Sequence, residues 1–567
     1  MKKEEVIEKI KELGGEINYF DIHKIFLEPE EELRETLRNF SLLLQEGILD
    51  VREEAKDRLI LFLKPKEIKE SIKPLEFSSE EIVVPPEYID NRMYIAIVDY
   101  VLEQIERKYY IKTLRNNGQT IGTFLWDGRR YVEADEIVQK IFYDSLEKHR
   151  EFLELNNLKM TALLKEFLFK MKNRNVFEFD KKELISFKNC VLDWDNFCAG
   201  FDEAFLPHSH LLICFNYIDY DIDILFARDV LKLFRFREID KFNLEEIAKK
   251  ACPKALKVFK EWVGEKWILL FELIGYCFFP RYVFHKAIML VGDGSNGKST
   301  YLKLLRTILG KENITSISIQ DLCSSRFALA ELYGKLANIY PDLEKRALKD
   351  TGIFKIATGE DFVSADRKFK GRINFENYAK LFFSANELPL VSDMTYAFWR
   401  RWIVIQFPNK FQQIDNFFEK TFTKEEIEGV ILVSLFAFRN VLLRKKFSFE
   451  ESEVDYKEVW LRSSDSVYAF IQDSIENKIL KREEGAKEKT TDVYQLYLEY
   501  CEREDREAVE KATFTKRMEM YGFPKTHTKA TRYYKNIKIL NKEEEPEEEI
   551  KTKEEALKEF LIDFDEK

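Results

Sequence analysis

The sequence predicts a multidomain α/β protein. Its 567 residues are too many for a single hydrophobic core. Near the middle of the chain an apolar strand, a glycine-rich loop and an amphipathic helix follow one another, which is typical of a parallel α/β sheet. The N-terminal region shows helical apolar spacing followed by two short apolar runs, and residues 464–540 show helical spacing followed by a hairpin rich in Thr, Lys and Tyr. Both patterns indicate a small domain that ends in a β-hairpin. Hydrophobic residues form 45% of the chain, so the chain as a whole is not disordered.

These patterns divide the chain into six segments. The region before the central strand alternates helical stretches with hairpin signals, of which Asp127-Gly128 is the clearest because this dipeptide suits a type I′ turn. The segments are a winged-helix-like domain at 1–64, a charged, proline-containing linker at 65–87, an α+β domain at 88–265, a P-loop α/β domain at 266–445, a second winged-helix-like domain at 446–542 and an acidic tail at 543–567.

Composition excludes several classes of protein. The net charge is −11, but residues 541–567 contain 12 acids and 5 lysines, a net of −7, so the remainder carries only −4 and can still present basic faces to a nucleic acid. The seven cysteines form no Cys-x2-Cys pair, which favours a reducing compartment without a zinc finger. The apolar stretch 267–284 contains Glu272, Pro280 and Arg281. We therefore expect a buried helix there and no membrane partner.

The glycine-rich loop has the pattern Gly-x4-Gly-Lys-Ser and follows the apolar residues 287–291. Its glycines let successive backbone N–H groups turn around a triphosphate, while the lysine neutralises phosphate oxygens and the serine hydroxyl ligates Mg²⁺. Leu302, Leu305 and Ile308 then share one helix face, and Gly310 stands where an αL cap would end the helix. The residues predicted to surround the nucleotide are Gly292, Asp293, Gly294, Ser295, Asn296, Gly297, Lys298, Ser299 and Thr300, with Ser299 as a metal ligand.

A second apolar strand ends in acidic residues at 341–344. Pro341 cannot donate to a sheet ladder, so the strand must end there. Asp342 then lies at the carboxyl edge of the sheet, where α/β folds bind ligands. We expect Asp342 to hold Mg²⁺, and either Asp342 or Glu344 to polarise the attacking water. A strand end that is acidic by chance is the alternative.

Two further strands carry candidate catalytic groups. The apolar residues 379–385 end at Asn386, an amide that can orient the water and sense the γ-phosphate. Arg400 and Arg401 precede the next strand, and either could complete the nucleotide site of a neighbouring subunit as an arginine finger. Structural ion pairs are the alternative for both arginines.

Between the acidic strand and the Asn386 strand lies a basic turn. Four cations occur within six residues, with an aromatic residue among them and a glycine at the turn, which predicts a hairpin tip that contacts a phosphate backbone. An ordinary solvated turn is the alternative. The four cations are Arg367, Lys368, Lys370 and Arg372.

The order of these motifs resembles that of the superfamily 3 helicases, in particular the phage and plasmid primase-helicases related to the poxvirus primase-helicase. Residues 292–300 resemble their Walker A loop, Asp342 and Glu344 their Walker B acids, and 358–372 their basic hairpin motif. Asn386 corresponds to the sensor asparagine, and Arg400 or Arg401 to the arginine finger. Leu343 separates the two acids where adjacent acids are expected, which leaves the identity of the catalytic base open.

The resemblance implies a modified AAA+ core, ATP and Mg²⁺ as cofactors, and a hexameric ring of identical subunits. It implies 3′-to-5′ translocation on single-stranded DNA and unwinding of forked DNA, with a separate primase or polymerase as a partner, in the cytoplasm of a prokaryotic host. The region before residue 88 is shorter than the primase–polymerase domain of many family members.

Three other functions stay open. One is a DNA-binding P-loop switch that does not unwind, and another is a packaging or segregation ATPase. The third is a primase-helicase that makes primers with residues 88–265, where Asp219, Asp221 and Asp223 near His208 or His210 could form a two-metal site. A solvated strand edge explains these aspartates better.

Overall fold

The computed structural model describes residues 77–540 except 79–81, 117–118, 175, 179–182, 344–347, 349–350, 369–370, 392, 394 and 528–530. Before residue 77 it describes three strands, which form an antiparallel sheet in the order β1-β3-β2. Their positions agree with the hairpin predicted near residues 48–63. The helices predicted in 1–64 and the acidic tail lie outside the described residues. The strands are β1 Glu16–Asn18, β2 Leu49–Ala55 and β3 Arg58–Leu63.

The chain divides into two compact units. The first contains the described residues up to 386 and those of 393–451, and the second contains 387–391 and 452–540. The second unit therefore begins close to the predicted boundary at 446.

Beyond residue 77, the first unit contains a four-stranded sheet in the order β6-β5-β4-β7, packed against helices. A turn is present at the predicted position between β5 and β6, where Gly128 has a φ of 96° and Asp127 N–H donates to Arg130 O at 3.0 Å. Neither Asp127 nor Arg129 has a positive φ, so it is not the predicted type I′ turn. Ile82 and Val84 lie in the helical core of this region, so that part of the predicted linker packs against the domain. The elements are α1 Pro86–Asp90, α2 Tyr94–Tyr109, β4 Lys112–Asn116, β5 Gln119–Trp126, β6 Tyr131–Glu133, α3 Asp135–Glu147, α4 Asn157–Lys172 and β7 Val176–Glu178.

A second four-stranded sheet, in the order β10-β9-β8-β11, precedes a group of helices. Asp223 caps the first of these helices by accepting from Phe226 N–H at 3.0 Å, and Asp221 pairs with Lys424 at 3.5 Å. No three His, Cys, Asp or Glu side chains of the described residues are arranged to hold a metal ion. The elements are β8 Leu184–Phe187, β9 Val191–Asp193, α5 Trp194–Ala199, β10 Phe205–Leu206, β11 Tyr217–Ile218, α6 Ile224–Leu233, α7 Lys241–Ala251, α8 Pro253–Val263 and α9 Trp267–Cys277.

The P-loop domain is built on a five-stranded parallel sheet in the order β13-β14-β17-β12-β18. The strands β12, β14 and β17 are short and almost wholly buried, as their apolar sequences predict. A separate antiparallel hairpin, β15–β16, is inserted between β14 and β17 in the sequence. The elements are β12 Ala287–Val291, α10 Lys298–Leu309, β13 Ile314–Thr315, α11 Ile319–Ser324, β14 Ala337–Tyr340, α12 Gly352–Ala357, β15 Phe362–Asp366, β16 Arg372–Glu376, β17 Lys380–Ala385, α13 Tyr396–Trp399, β18 Trp402–Gln406, α14 Phe417–Thr421 and α15 Lys424–Arg444.

The helix α9 is buried at every position, as predicted for the apolar stretch that begins at Trp267. It packs along α15, and the two helices form the centre of the largest hydrophobic cluster. The core is continuous with the nucleotide loop, because the Tyr301 hydroxyl of α10 donates to Leu270 O of α9 at 2.9 Å. None of the described helices is long and apolar enough to cross a membrane.

The second unit contains a strand that the sequence did not reveal. Residues 464–540 were predicted as helices followed by a hairpin, but Leu480–Lys489 forms a ten-residue strand between two helices. Its sequence is rich in Lys and Glu, which favour helix, so pairing with β21 decides its conformation. The sheet order is β19-β21-β20. The elements are α16 Glu453–Ser464, α17 Ser466–Glu476, β19 Leu480–Lys489, α18 Thr490–Arg503, α19 Lys511–Met520, β20 Lys525–His527 and β21 Arg532–Ile539.

The close approach of α9 and α15 gives a testable prediction. A Cβ added at Gly275 would lie 2.2 Å from Ser434 O, which is backbone and cannot turn aside. We expect Gly275→Ala to lower the free energy of unfolding by about 1–3 kcal/mol, measured by urea denaturation. Gly359→Ala is the matched control, because its Cβ would meet nothing closer than 3.4 Å. Equal stability of the two variants would contradict this packing.

Candidate nucleotide-binding site

The loop between β12 and α10 has the backbone conformation that its glycines predict. Gly292, Gly294 and Gly297 have φ values of 157°, 98° and 98°. A Cβ at Gly297 would lie 2.4 Å from the Trp262 indole nitrogen, so glycine is required there for space as well as for φ. Trp262 of α8 therefore packs directly against the loop. At the other end of α10, Gly310 also has a positive φ, 77°, but its ψ of 154° is not the predicted αL conformation.

The Lys298 ammonium is surrounded by neutral oxygen atoms. It donates to the carbonyl oxygen of Gly292, to Asn296 Oδ1 at 3.2 Å and to Asn386 Oδ1 at 3.3 Å. Burial lowers the pKa of Lys298, and the nearby carboxylates of Asp293 and Asp342 oppose this shift. None of the three hydrogen-bond acceptors carries a charge, so an anion that entered the loop would be the stronger partner for this cation.

Asn386 and Asp342 reach the loop because their strands are neighbours in the sheet. The strand β17 pairs in parallel with both β12 and β14, so the carboxyl ends of all three strands lie at one edge. Asn386 immediately follows β17, and Asp342 stands two residues beyond β14 and is exposed. The structure thus brings together the predicted lysine, asparagine and first acid. Glu344 lies outside the described residues.

A cavity of about 620 Å³ opens over the loop. Its walls include residues that the sequence analysis missed, from α8 and from the segment after β18. This segment is tied to the loop, because Phe411 N–H donates to Ser295 O at 2.8 Å. No motif marks these residues in the sequence. The lining residues are Glu261, Trp262, Gly294, Ser295, Asn296, Gly297, Lys298, Ser299, Thr300, Pro341, Asp342, Ser384, Asn386, Phe411, Gln412, Gln413, Ile414 and Phe417.

This set of donors and acceptors fits a magnesium nucleotide. The helix α10 begins at Lys298, so its unpaired N–H groups and positive dipole end face the loop. The exposed Ser299 hydroxyl and the Asp342 carboxylate line the same cavity and are the hard oxygen ligands that Mg²⁺ prefers. The cavity volume is also in the range of about 300–1,000 Å³ that is usual for small-molecule sites.

The two arginines before β18 have different environments. Arg401 is buried and donates from Nε to Thr358 Oγ1 at 2.9 Å, from Nη1 to Ala397 O and from Nη2 to Lys355 O at 3.4 Å. Its guanidinium is therefore engaged inside its own subunit and is not available to another one. Arg400 is exposed. Of the predicted pair, only Arg400 suits a finger, and the catalytic prediction for Arg401 is corrected to a structural role.

The predicted basic turn is the tip of the β15–β16 hairpin. Asp366 pairs with Arg372 across the last register position, and Arg372 Nε donates to Asp366 Oδ1 at 3.1 Å. Arg367 Nη1 lies 3.5 Å from Glu133 Oε1 of β6. Lys368 is exposed at the tip, whereas Lys370 lies outside the described residues. Two of the predicted DNA-binding cations thus have acidic neighbours within the chain.

Comparisons with known proteins agree with the predicted resemblance. Residues 462–563 match the family model described as Poxvirus D5 protein-like, and residues 290–401 match a family of unknown function, DUF5906. A protein of Acanthamoeba polyphaga mimivirus that is named a helicase is 29% identical over 235 residues. The predicted resemblance to relatives of the poxvirus primase-helicase is confirmed over these parts of the chain.

These similarities cover parts of the chains. The match to the mimivirus protein spans 40% of this chain and 22% of that protein. Among solved structures, the C-terminal region of NrS-1 is 11% identical, covering 78% of this chain and 98% of its own, with a TM-score of 0.36. The JCV helicase is 15% identical, covering 45% and 78%, with a TM-score of 0.20. TM-scores of this size do not by themselves establish a common fold.

The contrast between the two arginines predicts different effects on stability. Arg401→Ala removes three hydrogen bonds from a buried position, and we expect it to lower the free energy of unfolding by about 1–3 kcal/mol. Arg400→Ala alters an exposed side chain and should change stability by less than about 0.5 kcal/mol. Chemical denaturation of the two variants beside the unmodified chain measures both values. A larger loss for Arg400→Ala would reverse the assignment.

Proposed function

We propose that this chain is the motor of an ATP-dependent DNA helicase of superfamily 3, with a modified AAA+ core, that assembles as a hexameric ring and translocates on single-stranded DNA. The main support is the meeting of Lys298, Asn386 and Asp342 around one cavity at the carboxyl edge of a parallel sheet. These groups follow the ends of three strands that are distant in the sequence. A glycine-rich turn without a function would not be expected to lie beside all three of these side chains.

Each residue of the site has a defined task in this proposal. The loop N–H groups and Lys298 hold the phosphates of ATP, and Ser299 and Asp342 hold Mg²⁺, which supplies charge neutralisation at the β and γ oxygens. Asn386 donates from its amide to orient the attacking water while its oxygen faces Lys298. Asp342 or Glu344 accepts the proton of that water.

Arg400 completes the site of the neighbouring subunit. Its guanidinium is exposed on the chain that carries it, whereas the adjacent Arg401 anchors the short segment α13 to Thr358 and Lys355. A cation held by this anchor at a subunit surface can stabilise the charge that develops on a phosphoryl group across the interface. This arrangement makes hydrolysis dependent on assembly.

The β15–β16 hairpin is proposed to grip the DNA backbone through the cations at its tip. It leaves the sheet between the strands that carry Asp342 and Asn386, so it is covalently tied to both sides of the nucleotide site. Changes at the γ-phosphate position are thereby passed to the hairpin base. Arg367 and Arg372 have acidic neighbours and Lys368 is exposed at the tip, so Lys368 and Lys370 are proposed as the main phosphate contacts.

The second unit is proposed to be a winged-helix-like domain, because α17, β19, α18, α19 and the β20–β21 pair follow one another in that order. In this proposal, residues 514–517 of helix α19 and the wing formed by β20 and β21 are the surface that contacts duplex DNA. Arg517 pairs with Asp465 at 2.9 Å, so this contact depends on the other cations of that surface. A separate primase or polymerase and a prokaryotic cytoplasmic setting are proposed from the resemblance.

Mixing two inactive variants tests the shared site. Lys298→Ala should lose ATP turnover because the phosphates lack their cation. Arg400→Ala should lower the rate of ATP hydrolysis about 10³–10⁵-fold, because the charge that develops in the transition state is not neutralised. In a mixed ring, a Lys298→Ala subunit supplies an intact Arg400 to the intact loop of its neighbour. We expect an equal mixture to hydrolyse ATP at least about tenfold faster than either variant alone.

The control mixture contains Arg400→Ala with the double variant Lys298→Ala/Arg400→Ala, which has no finger to offer and should stay inactive. If the first mixture also stays inactive although both variants are folded and form oligomers, Arg400 does not act between subunits. Normal ATP turnover by Lys298→Ala would contradict the proposed nucleotide site itself.

Changing the hairpin lysines tests DNA coupling. We expect Lys368→Ala/Lys370→Ala to keep basal ATPase but to lose stimulation by single-stranded DNA and unwinding of a fork, because each lost phosphate contact weakens binding and lowers the salt slope by about 0.7. Lys232→Ala/Lys250→Ala removes two exposed lysines elsewhere and is the control. Unwinding of forks that carry only a 3′ or only a 5′ single-stranded tail measures the polarity of translocation. Stimulation of the unmodified chain by duplex DNA alone would favour a packaging ATPase.

A further inference from the structure

A second cavity, of about 600 Å³, lies in the first unit at the base of the β15–β16 hairpin. It shares no lining residue with the nucleotide cavity. Its wall is formed jointly by the β5–β6 hairpin, by the segment before β14 and by the first and last residues of the basic hairpin. The aromatic residues on this wall include Phe124, Tyr131, Phe215, Tyr333, Phe362 and Phe375.

The aromatic rings are arranged as a receptor for a flat group. Phe124 and Phe215 contact edge to face at 4.9 Å, as do Tyr333 and Phe375 at 5.3 Å. These pairs hold one another in place and fix the wall. Phe362, the first residue of β15, is 51% exposed although it is a large apolar side chain in a strand. An exposed phenylalanine beside a fixed aromatic wall offers a ring face for stacking.

The charges at the cavity argue against a phosphate as its occupant. Arg130 pairs with Glu312, and Arg281 pairs with Glu360 at 3.0 Å, all four of which line the cavity. The lining also contains Glu133 and Glu376, so its acids outnumber its arginines, which also include Arg115, by four to three. A free phosphate would meet no excess of positive charge. An uncharged aromatic ring with polar edges suits this lining better.

We propose that this cavity receives a nucleobase of single-stranded DNA whose phosphates contact the hairpin tip. Each strand of the hairpin has five residues and spans about 17 Å. Phe362 and Glu376 line the cavity at the base of the hairpin, and Glu133 of the same lining lies 3.5 Å from Arg367 near the tip, so a short run of nucleotides can contact both. The hairpin tip thus binds the charged backbone and the hairpin base binds the uncharged base. This inference rests on the proposed DNA-binding function.

Two different domains form the walls of the proposed site. One wall belongs to the β5–β6 hairpin and the other to the basic hairpin, and Arg367 near the tip is linked to Glu133 of β6 at 3.5 Å. A base held between the walls therefore resists movement of the basic hairpin away from β6. Stacking at this position couples the DNA strand to the α+β domain as well as to the ATPase.

Binding of bases and of backbone can be measured separately. The probes are a labelled oligothymidylate and an oligonucleotide of equal length built from abasic tetrahydrofuran units, titrated with the full chain by fluorescence anisotropy. Stacking on an aromatic residue contributes about 1–3 kcal/mol per base, so we expect the full chain to prefer the oligothymidylate at least about fivefold. Phe362→Ala should bring this ratio close to one without changing affinity for the abasic probe or basal ATPase.

Phe362→Trp should retain the preference, because the larger ring also stacks. Phe152→Ala is the matched control, since Phe152 is a phenylalanine outside the cavity that is 74% exposed. An unchanged ratio in Phe362→Ala, or equal binding of both probes by the unmodified chain, would overturn the base site and leave the helicase proposal standing. If the chain binds neither probe, the DNA-binding function itself is wrong.

Discussion

The parallel pairing of β17 with both β12 and β14 is the interaction on which the rest of the site depends. It places the ends of three strands at one edge of the sheet, and it brings Lys298 within 3.3 Å of Asn386. If β17 paired elsewhere, the lysine, the amide and Asp342 would belong to separate surfaces. The hydrogen bonds of a buried parallel sheet thus fix the chemistry of the cavity before any ligand arrives.

The glycine-rich loop is supported by side chains that pack against it. Trp262 leaves no space for a side chain at Gly297, and Tyr301 of α10 is bonded to α9. The helices α9 and α15 then approach so closely that Gly275 lies against the backbone of Ser434. The loop therefore rests on a continuous, well-packed core. Its backbone donors are positioned in advance, which would reduce the entropy cost of binding the proposed nucleotide.

Arg400 and Arg401 are neighbours in the sequence but differ in burial, and this difference separates the proposed catalytic role of one from the structural role of the other. Arg401 fills its hydrogen-bonding capacity with groups of its own subunit, whereas Arg400 one residue earlier remains exposed. The hairpin shows the same division, since its arginines face acids and its described lysine is exposed. In both places the side chain proposed to act on a partner is the exposed one.

The sequence by itself determined the nucleotide loop, the strand ends that carry Asp342 and Asn386, the buried helix beginning at Trp267 and the basic hairpin. These features depend on local rules: glycine for positive φ, apolar runs for buried strands, and proline at a strand end. Only the tertiary structure decided that Arg401 is internal, that Trp262 and the segment 411–417 line the nucleotide cavity and that β19 is a strand. Each of these outcomes is set by contacts between residues far apart in the chain, such as Leu480 with Ile539. No local pattern records such contacts, because the energy of burial and pairing depends on which distant surface a segment meets.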